Sequence, residues 1–345
     1  MQPMALPTAR GPLTDALLEL LPASEPTAAA AEPGLVADLA SVASEAVAAS
    51  DDLLDDDDLQ LALFLLYELH YGGLEGVSDS WEWDPGLLAV RAPIERGFEA
   101  ALRHAVSQPV AVRDVPEALF ALVGDEDDSP SLSKYVERDA TAEQVREILA
   151  CRTIYTLKEA DPHSWAIPRL HERAKSALVE IQADEYGGGR ADRLHATIYA
   201  RAIRAAGLDD RYGAYADHVP VTVYTSMNLM SLFGLHRRLR GAIVGHLAAY
   251  EMTSSLPCRA YANGLRRLGF DEDVADYFDE HVEADAVHEQ LAARDLAGAL
   301  AEDEPHVARD ILFGAAACLA IDGRLWGGIR ERFERGESAL RRPLT

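Results

Sequence analysis

The chain has 345 residues, 48% of them apolar and 26% charged, an ordinary globular mixture large enough for one big domain or two modest ones. Thirty-two basic against 58 acidic residues leave a formal charge of −26, which opposes nucleic-acid phosphate and anionic membrane surfaces. Cys151, Cys258 and Cys318 form no CxxC pair, which excludes a disulfide framework and a thiolate zinc site and fits a reducing cytoplasm.

The opening MQPMALPTARGPL lacks the apolar core of a secretory signal, and no stretch reads as the eighteen or so apolar residues of a membrane span, so the expectation is a soluble, cytoplasmic protein. Residues 1–50, rich in Ala, Pro, Ser and Glu, read as a loosely ordered arm with one or two weak helices. The acids Asp51, Asp52 and Asp55 to Asp58 precede the apolar run LQLALFLLYELHY, where negative charge complements a helix start; a hard-cation site is the less favoured reading. Glu68 and His70, two apart, face different sides of that helix and read as core groups.

Helical patterns follow at 86–106, 115–123 and 141–160, the last opened by Thr141 in the manner of a capping box, and then at roughly 168–206, 219–252, 255–268, 272–300 and 305–335. The β-like fragment VPVTVY at 219–224 runs into one of these and reads as a helix start. With no accumulation of alternating strands, the fold class is an all-α bundle. The expected division is the arm, a helical extension over 51–135, and a helical domain over 136–345.

The sharpest chemical feature is YFDEHVEADAVHEQ at 277–290, in which His281, Asp285 and His288 form H-x3-D-x2-H. At 100° per residue these side chains fall within a wedge of roughly 60° and continue the apolar seam of their helix. Burying two imidazoles and a carboxylate costs several kcal/mol unless each finds a partner, and a divalent metal satisfies all three; a His-Asp-His hydrogen-bond network is the plainer alternative. Upstream, DEYGGGRADRLHA places Asp192 and His195 three apart, a spacing used in bundle-core dimetal sites, with Glu185 seven residues before Asp192. The triplet Gly187, Gly188 and Gly189 interrupts this helix, either for a close backbone approach or as an ordinary loop. Glu159 ends a helix that Pro162 stops, while His163 and His171 read as structural.

Together Glu159, Glu185, Asp192, His195, His281, Asp285 and His288 resemble the ligand pattern of the haem-oxygenase-like diiron oxidases and oxygenases. The phrases KEADPHSWAIPRL, QADEYGGG, SLFGLHRRLRGAIVGHLAAYEMTSS and EHVEADAVHE are similar to the actinobacterial branch of iron-containing redox enzymes, over at least 145–335. The resemblance implies a haem-oxygenase-like helical bundle with additional N-terminal helices, two iron ions per chain, and activation of O2. Carried over by position, Glu159, Glu185, His195, His281, Asp285 and His288 match ligand positions, while Asp192 stands where some relatives have Glu and reaches about one methylene less. Glu251 is a reserve ligand, its alternative being a buried ion pair with Arg237 or Arg240.

Four carboxylates would offset two ferrous ions, leaving a near-neutral cluster with neutral histidines. The donor chemistry favours iron, and manganese fits the same set. The expected function is a non-haem diiron O2-activating oxidase or oxygenase acting on a small organic substrate. An external electron donor and a homodimer are compatible with it, and nucleic-acid or membrane partners are not. The alternative is a haem-oxygenase-like metal-binding or regulatory protein without redox turnover. A thiaminase-like hydrolase on the same fold would need a nucleophilic cysteine, for which Cys151 and Cys258 are the only residues near the motif helices, and the basic stripe at His236, Arg237, Arg238 and Arg240 reads as pairing with local acids.

Overall fold

The computed structural model describes residues 2–23, 35–106, 114–124 and 131–344, with the side chains at 23, 35, 37 and 283–287 set aside. The acidic run organises the start of the fold. Helices α1 (Pro12–Ala23), α2 (Leu35–Ala49) and α3 (Asp57–Glu68) are joined through it. Asp56 accepts from the amides of Asp58 and Leu59 at the α3 start. Asp58 reaches across to accept from Leu13 N and Thr14 N, both at 2.8 Å, at the α1 start. The acids therefore sit on helix dipoles, where they satisfy amides that would otherwise lack partners.

Within 1–50, the described residues 2–23 and 35–50 form the helices expected there but pack into the core instead of lying loose. Leu13, Leu17, Leu20, Leu21, Leu39 and Ala43 are buried in the same core as the rest of the chain, and Met4 forms an isolated parallel bridge with Leu74. Alanine-rich composition hid a narrow leucine stripe, which is enough to dock a helix when a larger apolar surface is waiting for it.

Next come α4 (Pro85–Ala105), α5 (Val115–Val123), α6 (Leu132–Arg138) and α7 (Ala142–Thr156). Thr141 and Gln144 cap α7 reciprocally, Gln144 N donating to Thr141 Oγ1 at 3.3 Å and Thr141 N to Gln144 Oε1 at 2.9 Å. The single run expected over 168–206 is two helices, α8 (Glu172–Glu185) and α9 (His195–Ala205). The fragment read as a helix start opens α10 (Val221–Leu235), buried on nearly every side; β-branched residues are tolerated because packing outweighs propensity.

At the centre α11 (Arg240–Thr253) lies along α14 (Ala308–Glu334). A Cβ at Gly245 would strike the Ile311 carbonyl, and one at Gly314 the Ala242 carbonyl, so the two glycines permit backbone contact. Helices α12 (Ser255–Arg267) and α13 (Glu272–Gln290) pack on each other, and α13 also covers α9. Beyond α13 the chain widens into π-helix over Leu291–Gly298, which packs against α8 and α11. Such segments recur beside functional sites.

The expectation that no segment reaches membrane-span length is corrected by Pro305–Glu334, which passes by length and composition, although half of its most apolar window is buried inside the fold. Its apolar content belongs to the core contact with α11.

Candidate metal centre

Glu185 is the last residue of α8 and His195 the first of α9. The glycine triplet between them lies entirely at positive φ (68°, 60° and 82°), and a Cβ on Gly187 would stand 2.5 Å from the Arg193 carbonyl carbon. Both a left-handed turn and a close backbone approach are required there, which only glycine provides without strain. The reversal sets His195 Nδ1 2.9 Å from Glu185 Oε2.

Glu159 follows α7 on a tight turn in which Ala160 takes φ 72° before Pro162 starts a short helical turn. Tyr277 Oη lies 2.8 Å and 3.0 Å from the two Glu159 oxygens. His281 Nε2 is 3.6 Å from Glu159 Oε1, while its Nδ1 lies 2.7 Å from the Tyr277 carbonyl, which accepts from it. That bond selects the tautomer whose Nε2 lone pair faces the carboxylates. Donor atoms of Glu159, Glu185, His195 and His281 all lie within 4.8 Å of one another.

A second group shares one of these residues: Glu185, Glu251 and His288, by the same distance. His288 Nδ1 is 3.2 Å from Glu251 Oε2, and Nε2 is 3.0 Å from Asp184 Oδ2. Glu251 comes from α11, and His281 and His288 from α13, one on each side of the stretch whose side chains are set aside.

Five of the seven expected ligands, Glu159, Glu185, His195, His281 and His288, are thus brought together, joined by the reserve residue Glu251. Asp192 is not. It is exposed on the 3-10 turn Ala191–Arg193, because α9 begins only at His195 and the i,i+3 spacing that would align the pair does not exist there. The Asp285 side chain lies outside the described residues. Sequence reasoning passed over Tyr277, one helical turn before His281, and Asp184, the neighbour of Glu185.

Electrostatics follow from this crowding. Burial alone would raise the Glu159 carboxyl, but the His281 hydrogen bond and charge, aided by His195 and Tyr277, hold it below the usual range. Burial works against protonation of His281 and His288, yet Glu159 raises the first well above its ordinary value, and Glu251 with Asp184 raises the second to about 9. Protons and a divalent cation compete for these atoms. The donors fit a metal. Glu185 Oε2 and His195 Nδ1, both buried, face each other at 2.9 Å without a well-aligned hydrogen bond and reach no other partner. A carboxylate-imidazole set without thiolate suits iron or manganese.

The donors open onto a cavity of about 370 Å3 whose wall includes Cys151 and Cys258. Burial pushes the Cys151 thiol up, the reverse of what a nucleophile needs. His163, on the cavity wall, and His246 pair at 3.1 Å, and burial lowers both. In the basic stripe His236 pairs with Glu95, Arg238 with Glu99 and Arg240 with Glu304, leaving Glu251 to His288.

Comparison with known proteins agrees with this geometry. A nitrosourea synthase of Streptomyces achromogenes subsp. streptozoticus is 28% identical over 148 residues, which cover 42% of this chain and 31% of that protein. Residues 146–323, over half the chain and spanning Glu159 to His288, match the iron-containing redox enzymes, and the chain belongs to that family.

Proposed function

We propose that the chain is a non-haem diiron oxidase or oxygenase that uses O2 to oxidise a small organic substrate. The observation that carries this is Glu185, which belongs to both donor groups, so that one carboxylate could serve two cations. Glu159, His195 and His281 would complete one metal's protein ligands, and Glu251 and His288 those of the other. Two ferrous ions bound there would supply the electrons for reducing O2. The protein's own residues hold and orient. Tyr277 fixes the Glu159 carboxylate, the Tyr277 carbonyl fixes the His281 ring, and Asp184 holds His288 from the opposite nitrogen. The buried setting keeps bulk water from the donors, and the cavity gives a small molecule access to them. Repeated turnover would draw electrons from an external donor.

The test is anaerobic loading with Fe(II), iron quantification, and then exposure to O2 in a stopped-flow spectrophotometer. Two irons per chain and rapid growth of a visible iron absorption band are expected. Ferrous iron that stays inert to O2 would instead support a metal-binding protein without redox turnover.

A further inference from the structure

Four tyrosines line the cavity, Tyr155, Tyr250, Tyr261 and Tyr277, and their hydroxyls meet different partners. Tyr155 is bonded to the Ala160 backbone, Tyr250 to the Ser226 hydroxyl and Tyr261 to the Arg152 guanidinium. Among the described residues, Tyr277 is the one of these whose hydroxyl rests on a carboxylate, 2.8 Å and 3.0 Å from the two oxygens of Glu159. Its ring also lies against the His281 imidazole, with centroids 4.4 Å apart. A buried phenol therefore touches two candidate metal donors, and one of them is a base.

The partner of a buried phenol decides whether it can be oxidised. Taking an electron from tyrosine makes its hydroxyl strongly acidic, so in an interior that solvates no charge the electron leaves only if the proton has an acceptor within hydrogen-bond reach. Glu159 is such an acceptor for Tyr277. Tyr199 supplies the contrast. Its ring centroid stands 4.8 Å from that of Tyr277 and it is fully buried, but its Oη donates to the Leu149 carbonyl at 2.6 Å. A neutral amide oxygen is too weak a base to keep that proton, and oxidising Tyr199 would strand a positive charge in the core. An electron vacancy in this pair of rings therefore settles on Tyr277.

We infer that Tyr277 is a redox-active residue that gives an electron to the centre when O2 reacts there without substrate. This rests on the diiron reading. Reduction of O2 to two waters takes four electrons and four protons. Two ferrous ions becoming ferric give two of the electrons, and a bound substrate gives the other two. Without substrate, Tyr277 gives the third: its phenol is oxidised to a neutral phenoxyl radical, and the phenolic proton moves to Glu159 Oε1. The external electron donor gives the fourth and later restores the phenol, to which Glu159 returns the proton. The phenoxyl, and not the neighbouring imidazoles, thereby carries the unspent oxidising equivalent.

The experiment loads the full chain anaerobically with Fe(II), mixes it with O2 in the absence of substrate, and freezes samples in time for electron paramagnetic resonance. A tyrosyl signal is expected, and it should narrow when the chain is made with ring-deuterated tyrosine. Tyr277→Phe, given excess Fe(II) until its iron content equals that of the wild type, should lose the signal. Tyr199→Phe should keep it. Should Tyr277→Phe fail to reach that iron content, 3-fluorotyrosine placed at position 277 keeps the hydroxyl and should add a fluorine splitting to the signal. Four results would overturn the inference and leave the diiron centre standing: no radical in a chain that binds two irons and develops the visible absorption band, a signal that survives Tyr277→Phe, a signal abolished by Tyr199→Phe, or a signal without the fluorine splitting. A chain that takes up no iron, or whose iron stays inert to O2, sinks the diiron centre and this inference with it.

Discussion

The His281 ring has one nitrogen committed to the Tyr277 carbonyl and the other aimed at Glu159, so its position is set before any cation arrives. Donors of this kind differ in what their loss removes. Glu185→Ala deletes the carboxylate common to both groups and should bring bound iron well below one per chain. His288→Ala should leave one equivalent of the expected two, and Tyr277→Phe should weaken iron binding by roughly 10- to 100-fold by freeing the Glu159 carboxylate. His306→Ala and Asp192→Ala, both at exposed positions, should bind iron as the wild type does. Iron quantification after anaerobic loading checks all five variants, and equal content throughout would contradict the ligand assignment. Gly187→Ala acts on the backbone. A side chain at φ 68° beside the Arg193 carbonyl carbon should cost about 1–3 kcal/mol of stability in denaturant melts and lower iron affinity by parting Glu185 from His195.

Among the elements, α3 and the turn after α7 are fastened by Glu68 and Lys158, an ion pair with no exposed side-chain surface, set among Tyr71, Tyr212 and Phe64. Lys158 directly precedes Glu159, so this contact ties the N-terminal helices to the turn that presents this candidate donor. Lys158→Met or Glu68→Leu alone should destabilise by about 3–5 kcal/mol through the buried charge left behind, and the double variant should recover much of that loss. Urea denaturation of the three proteins measures it. The end of α3 is also an acid-sensitive joint. His70 Nε2 accepts from Arg91 Nη1 at 2.6 Å, and burial, then the Arg91 charge, lowers its pKa from 6.5 to about 4, with Glu95 opposing only in part. A base whose folded value is depressed must stay neutral in the fold, while the unfolded chain takes up the proton below 6.5. The stabilisation is intact above that value and is lost as pH falls towards 4. Chemical melts across this window should show a slope that His70→Gln flattens, and identical slopes would exclude His70 as the source.

For the molecule as a whole, the centre draws on five parts of the chain: the turn after α7, α8, α9, α11 and α13. Binding a cation there links folding to metal. Fe(II) at about 100 times its Kd should add about 2.7 kcal/mol of stability, and a chelator should remove it. A melting temperature indifferent to both would argue against a site assembled only in the folded state. The contact of α11 with α14 carries the scaffold beneath, which is why the most membrane-like stretch of the sequence serves here as a core helix.

Much of this was legible in one dimension. Helical periodicity, an absence of strand patterning and the H-x3-D-x2-H spacing gave the all-α class and the imidazoles of α13, because those features repeat within a few residues and depend on local geometry alone. The docking of α1 and α2 was not legible for the converse reason: a few leucines on an alanine-rich helix are weak evidence until the surface that receives them is known. The same holds at the site. Whether Asp192 or Glu251 joined the donors turned on where a helix begins after three glycines and on which face of α11 meets α13. Neither is written in local spacing, since both arise from packing between segments dozens of residues apart. Residue chemistry thus selected the kind of centre, and tertiary packing chose which carboxylates came within reach of it.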